Sequence, residues 1–323
     1  MGIPNDVAIP NDLSQGPGTP AASRTAVLFP GQGAQSVGMV AEWCAQSDAI
    51  GALFARATAI LGYDLEALCR QGPVEALDST AVSQPAILVT SLAALELLKR
   101  RPDRILDAVT ATAGLSLGEY TALVFAGAIE FEDAVRLVDI RGRAMQACAD
   151  AHPGAMLAVL GLSREQIANL CDEVRGAEVL EVANVLCPGN VVASGTVAAC
   201  TRLAEAAGAA GAMKCVRLGV AGAFHTSLMQ PAVEALSEAL ARTTIRPPRI
   251  PVISNVDARP HHDPAEIRQL LARQVVGVVE WQASVEHLLA GGVRTIYEVG
   301  PGRVLRGLMK RIDRSVACFG ALD

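Results

Sequence analysis

Short apolar runs alternate along this chain with longer stretches in which apolar residues recur every three or four positions. Ala26-Val27-Leu28-Phe29 is the first run, closed by Pro30-Gly31-Gln32-Gly33, and it suits a strand buried on both faces. Residues 40–80 read as helices interrupted at Gly62 and at Gly72-Pro73. Ser83-Gln84-Pro85 opens a long helix through Ile87, Leu88, Leu92, Leu95 and Leu98 to Lys99, with Pro85 in the first turn, where a missing amide is harmless. Its apolar face is broad, which predicts burial. A small-residue strand, Ala108 to Ala113, then runs into Gly114-Leu115-Ser116-Leu117-Gly118 and a helical pattern through Leu123, Val124 and Ala128. Phe131-Glu132-Asp133 starts the next helix with acids at its positive end, and Arg141 lies on it among Val135, Leu137, Val138 and Met145.

Around Ala151-His152-Pro153-Gly154 the elements shorten. Strands are expected at 155–160, 179–184, 190–195 and 213–218, with helices at 164–174 and 198–207 between them. That βαββαβ order predicts a ferredoxin-like subdomain inserted at about 150–216. A helix begins at Gly222-Ala223-Phe224-His225 and runs towards Leu240, a strand follows at 249–255, helices at 267–274 and 285–289, a strand at 295–299 ending in Gly300-Pro301-Gly302, and a terminal helix after it. Alternating strands and helices make a mostly parallel α/β sheet the natural core, built from 24–149 and 217–323. Residues 1–23, rich in Pro, Gly, Ser, Asn and Asp and carrying Ile-Pro-Asn-Asp twice, read as a disordered tail.

Composition narrows the function classes. Half of the 323 residues are hydrophobic but only 3% aromatic, so Ala, Val and Leu build the core. A net charge of −6 without any basic tract argues against nucleic acid and against an anionic membrane surface as partners. Eight cysteines, none in a C-x-x-C pair and none with a histidine at ligand spacing, read as reduced small hydrophobes rather than as metal ligands, which predicts a cytoplasmic protein. No basic-then-apolar leader is visible, and no uninterrupted apolar run reaches the length of a membrane span.

The candidate chemistry sits at 114–118. Gly-x-Ser-x-Gly between a strand and a helix is the context of a nucleophile elbow, so Ser116 is the candidate nucleophile and the Leu117 amide, at a helix start, the candidate oxyanion donor. The glycine-rich loop at 31–33 brings a backbone amide and Gln32 near a reaction centre; it lacks the third glycine of a dinucleotide loop. Of the five histidines, His225 stands in a small-residue segment from which an imidazole can reach another loop. On the residues alone it is read either as a base or as a helix-start cap.

Five motifs decide between these readings. Phe29-Pro30-Gly31-Gln32-Gly33-Ala34-Gln35, the Ser116 elbow, Arg141-Gly142-Arg143-Ala144-Met145-Gln146, Ala223-Phe224-His225 and Tyr297-Glu298-Val299-Gly300-Pro301-Gly302 occur in the order of the malonyl-CoA:acyl-carrier-protein transacylases, which the chain resembles from residue 25 to about 312. The resemblance implies an α/β-hydrolase-like core with a ferredoxin-like insert. It also implies that Ser116 attacks a malonyl thioester with His225 as base, that the Gln32 and Leu117 amides form the oxyanion hole, and that the Gln274 main-chain carbonyl orients His225. The acyl group then passes to the phosphopantetheine thiol of acyl carrier protein, so no cofactor or metal of the enzyme's own is expected. Asn255 is read either as supporting the same loop as Gln274 or as purely structural. Arg141 is expected to take the free malonyl carboxylate as a bidentate pair, Met145 to line the pocket one turn on, Phe224 to crowd a branched α-carbon, and Arg143 to be a solvated charge. Leu115 departs from the histidine that bacterial members commonly carry before the nucleophile. A serine thioesterase, using the same elbow on water, and a non-catalytic docking protein for carrier proteins are the competing readings.

Overall fold

The computed structural model describes residues 24–41, 43 and 47–321, so the expected tail at 1–23 lies outside the described residues. Among them are two sheets. The larger has the order β7 (Val252–Ile253), β2 (Val109–Gly114), β1 (Arg24–Phe29), β8 (Val293–Glu298), β9 (Ala317–Gly320), and every pairing in it is parallel. Its central strand is the Ala-Val-Leu-Phe run, buried on both faces as the sequence pattern requires. Two edges differ from expectation. Pairing on β7 is confined to Val252 and Ile253, against Thr112 and Ala113, and β9, which no pattern announces, adds a strand beside β8.

The smaller sheet is antiparallel, in the order β4 (Leu180–Cys187), β5 (Asn190–Thr196), β3 (Gly154–Leu160), β6 (Lys214–Arg217). Helices α7 (Arg164–Val174) and α8 (Val197–Ala209) cover one face of it through Ile167, Cys171, Cys200 and Leu203. The first is started by a capping box in which Ser163 and Gln166 satisfy each other's backbone amides. Burial pushes the Cys171 thiol up to about 12 and raises the Cys187 and Cys200 thiols too, as fits cysteines used as small hydrophobes.

Three short helices, α1 (Asp48–Leu61), α2 (Leu65–Gln71) and α3 (Val74–Asp78), lead into α4 (Thr80–Lys99). This last helix starts one turn earlier than the pattern suggests, which leaves Pro85 in the second turn instead of the first. The earlier start is a tertiary effect: Gln146 Oε1, from α6 (Phe131–Ala151), accepts from the Thr80 amide at 2.9 Å and satisfies a donor that the helix itself cannot. By length and composition α4 could cross a membrane, although polar residues interrupt its apolar run, and 78% of its apolar window is buried inside this protein.

The strand-to-helix turn after β2 is packed as closely as backbones allow. A Cβ on Gly114 would lie 1.9 Å from the Gly118 carbonyl carbon, and one on Gly118, the first residue of α5 (Gly118–Phe125), 2.2 Å from the Phe29 oxygen. Gly114→Ala must therefore push α5 off the sheet, and we expect it to cost about 3 kcal/mol of stability by overpacking, read as a lower urea midpoint; an unchanged midpoint would mean that the helix can retreat freely.

Candidate active site

Ser116 occupies the left-handed region, with φ 50°, a conformation that costs a non-glycine residue about 1–3 kcal/mol. The surroundings hold it there. Its amide donates to Asn255 Oδ1 at 2.6 Å, and Asn255 Nδ2 donates to the Gly114 carbonyl at 2.8 Å, so one buried amide side chain clamps both ends of the turn. The Asn255 side chain thus braces the nucleophile turn, while its carbonyl accepts from the Glu280 amide at 2.8 Å, at the end of the segment that follows Gln274. Leu115 bonds back through its amide to the Phe29 carbonyl at 3.0 Å, tying the elbow to the end of β1.

His225 does not begin a helix, as its sequence pattern suggests it should. It sits in a turn with φ 60°, followed by a 3-10 turn at Ser227–Met229 and only then by α9 (Gln230–Arg242). The turn aims its ring at Ser116, with Nε2 2.9 Å from Oγ, while Nδ1 lies 2.8 Å from the Gln274 carbonyl. Gln274 ends α10 (Pro264–Gln274), where carbonyls have no partner within the helix and carry the negative end of its dipole. A carbonyl only accepts, so Nδ1 carries the proton and Nε2 presents a lone pair to the serine hydroxyl. Burial, and then the Arg141 charge, push the His225 pKa down to about 4, against the bond to Gln274, which raises it. At neutral pH the imidazole is an unprotonated base.

Arg141 projects from the apolar stripe of α6 and is buried. Its Nη1 donates to Gln84 Oε1 at 2.7 Å; its Nη2 donates to Gln274 Oε1 at 3.1 Å and to Ser116 Oγ at 3.0 Å. Its Nε has no acceptor among the described residues, and its carbon lies 5.6 Å from the Tyr120 ring centroid. Burial lowers its pKa, yet a guanidinium stays charged in proteins. Arg143, two positions on, pairs with Asp139 at the surface, as expected.

A cavity of about 320 Å³ opens over these groups, between the two sheets. Gly31, Gln32, Leu117 and Arg141 line it from the parallel layer, and Met156 and Val192 from the small sheet. Met145, Phe224 and Leu115 are on its wall. Neither the Gln32 nor the Leu117 amide donates to another described residue, while the Gln32 side chain is tied to Thr80 Oγ1 at 3.3 Å. A larger cavity, about 580 Å³, lies by Val109 at the other end of β2 and has neither serine nor histidine in its wall.

Three side chains of the site carry no clear signal in the sequence. Gln84 anchors Arg141 and donates to Met145 Sδ at 3.6 Å; its one mark is that of a glutamine inside an otherwise apolar helix. The Gln274 side chain bridges Arg141 to the Ser116 carbonyl, whereas the family resemblance implies a role for its main-chain oxygen only. Glu119 is a buried carboxylate one turn beyond the nucleophile and accepts from Gln274 Nε2 and the Asn255 amide.

A strained serine bonded to an oriented histidine, at the C-terminal edge of a parallel sheet and below a cleft, defines an α/β enzyme with a Ser–His pair. Comparison with known proteins narrows that class. Residues 27–317 match the acyl transferase domain family. The malonyl CoA-acyl carrier protein transacylase of Salmonella typhimurium is 45% identical over 287 residues, 89% of this chain and 92% of that protein. The solved malonyl CoA-acyl carrier protein transacylase of Coxiella burnetii, 37% identical, superposes with a TM-score of 0.88 over 93% of this chain and 94% of that one. A malonyl-transacylase solved in complex with its type II PKS acyl-carrier protein, 39% identical, superposes with a TM-score of 0.86 over 92% and 95% of the two chains. This chain is an acyltransferase and belongs to the malonyl-CoA:acyl-carrier-protein transacylase family.

Proposed function

We propose that the protein moves a malonyl group from malonyl-CoA to the phosphopantetheine thiol of acyl carrier protein through a malonyl–Ser116 ester. Ser116 Oγ gives its proton to His225 Nε2 and attacks the thioester carbonyl. The resulting oxyanion is met by the Gln32 and Leu117 amides. Collapse breaks the carbon–sulfur bond, and the His225 proton leaves with the coenzyme A thiol. In the second half the carrier-protein thiol gives its proton to His225 and attacks the ester, and Ser116 leaves and takes that proton back. The phosphopantetheine belongs to the partner, and no step calls on a metal or a cofactor held by this chain.

The observation that carries this reading is Arg141. Its Nη2 already bonds Ser116 Oγ at 3.0 Å and its buried Nε lacks an acceptor among the described residues, so a carboxylate entering beside the nucleophile finds the charge-assisted bonds that offset its desolvation. Met145 and Phe224 would bound the malonyl methylene on the apolar side. In the same reading the parallel layer, 24–149 and 217–323, is α/β-hydrolase-like, and 150–216 is a ferredoxin-like subdomain, supported by its βαββαβ order and antiparallel strand order. A cytoplasmic setting accords with buried cysteines used as small hydrophobes. Intact-protein mass spectrometry tests the reaction: malonyl-CoA should leave one malonyl adduct, cleared rapidly by holo carrier protein and slowly by buffer. Clearance by buffer as fast as by carrier protein would make the enzyme a hydrolase.

A further inference from the structure

Glu119 has no part in the transfer chemistry above, yet it is 3% exposed and sits where three catalytic segments meet. Its Oε2 accepts from Gln274 Nε2 at 2.6 Å and from the Asn255 amide at 3.0 Å. Asn255 clamps the Ser116 turn, and Gln274 faces Arg141 with its side chain and His225 with its carbonyl. The Gln274 amide thus lies between a carboxylate and a guanidinium. An ionised carboxylate only accepts and a guanidinium only donates, so one orientation of the amide bonds both and the flipped one bonds neither.

We propose that Glu119 is a positioning residue for carboxylate recognition: it sets the polarity of the Gln274 amide, so that Gln274 Oε1 holds the Arg141 guanidinium beside Ser116 Oγ. The inference rests on malonyl being the acyl group. Glu119 is also the carboxylate that faces Arg141 across the amide, which leaves the guanidinium anchored without occupying the face a substrate carboxylate needs. A direct Glu–Arg pair there would compete with substrate; an intervening amide does not.

Acidification gives a readout that a scaffold role would lack. Burial pushes the Glu119 pKa up to about 7, against the bonds from Asn255, Gln274 and Ser254 and the Arg141 charge, which lower it. The other titratable groups around it are Tyr120 on its own helix, His225 behind Gln274, and His261 across a cavity of about 10 Å³, itself bonded to Asp257 and Glu266. Protonation removes the charge that strengthens the Gln274–Glu119 bond and leaves the Ser116 carbonyl as the amide's other acceptor, so the hold on its polarity weakens as pH falls through about 7. Titration of His261 persists when Glu119 is replaced, and the two are separated in that way.

The experiment measures acylation of Ser116 by malonyl-CoA and acetyl-CoA in the full-length wild type, E119Q, Q274L and the double variant. The malonyl-over-acetyl preference in E119Q should fall about tenfold, the worth of one hydrogen bond to a charged group. Q274L should fall comparably and the double variant no further, because both changes remove the same link. Wild-type preference should rise with pH through about 7, and E119Q should lack that rise. Equal losses on both esters, or additive losses in the double variant, would reduce Glu119 to scaffold. Should E119Q not fold, Q274L carries the test alone, and an undiminished preference there overturns the proposal. A wild type that acylates equally with both esters overturns the malonyl reading and this inference with it, whereas a wild-type preference that survives in E119Q overturns this inference alone.

Discussion

Ser116→Ala should leave no malonyl adduct, and His225→Ala should slow adduct formation by about 10³-fold or more, since nucleophile and base act as a unit. The structure makes both expectations specific. Ser116 Oγ is 2.9 Å from His225 Nε2, and Nδ1 is committed to the Gln274 carbonyl, so the base is held in the reactive tautomer before substrate arrives. Among the described residues no carboxylate bonds the imidazole; the C-terminal carbonyl of α10 orients it instead, with a helix dipole in place of a full charge. Alanine at 225 removes the proposed proton acceptor and leaves the Gln32 and Leu117 amides and Arg141 in place, so substrate binding should survive while the chemical step fails. Single-turnover acylation followed by intact mass spectrometry separates the two. A malonyl adduct that persists on Ser116→Ala would place the nucleophile elsewhere.

Arg141→Ala should reduce malonyl transfer by about a hundredfold or more, because a charge-assisted bidentate pair is worth about 1.5–3 kcal/mol and an unpaired carboxylate in the cleft adds a desolvation penalty. Acetyl transfer should hold steady or rise. An acetyl group has no carboxylate to pair, and the substitution also releases Ser116 Oγ from its bond to Arg141. Gln84 Oε1 and Gln274 Oε1 lose a donor in the variant, which will cost some stability, so the ratio of the two esters is the quantity to measure and not either rate. Equal losses on malonyl-CoA and acetyl-CoA would make Arg141 a fold or docking residue and would remove the basis for malonyl selectivity. Arg141→Lys should fall between, since an ammonium keeps the charge but loses the planar fork.

Elements whose signal is local are legible in the amino-acid sequence. The β1 run, the glycine-serine-glycine turn, the acids that open α6 and the apolar stripe that carries Arg141 each satisfy a local rule of burial or capping, and the fold has each where that rule puts it. The turn at 114–118 can be read because only glycine allows β2 and α5 to approach so closely. Three other features cannot be read so. The start of α4 depends on Gln146 from another helix, β7 is shortened to two residues by what it finds to pair with, and the ring of His225 is aimed by a left-handed turn that no periodicity reports.

The sequence by itself determined the order of most elements, the nucleophile turn and, through family resemblance, the serine, histidine and arginine of the site, because those depend on residues adjacent in the chain or recurring in known motifs. The resemblance also implies Gln274 and Asn255, but tertiary structure alone decided how the polar side chains around that site connect. Gln84, Glu119, Asn255 and Gln274 come from four separate segments, and each is an ordinary polar residue in its own surroundings. Their roles exist only once folding buries them together, where every donor must find an acceptor or cost the fold its desolvation energy. That requirement, and no local pattern, is what joins Arg141, the base and the elbow into one network.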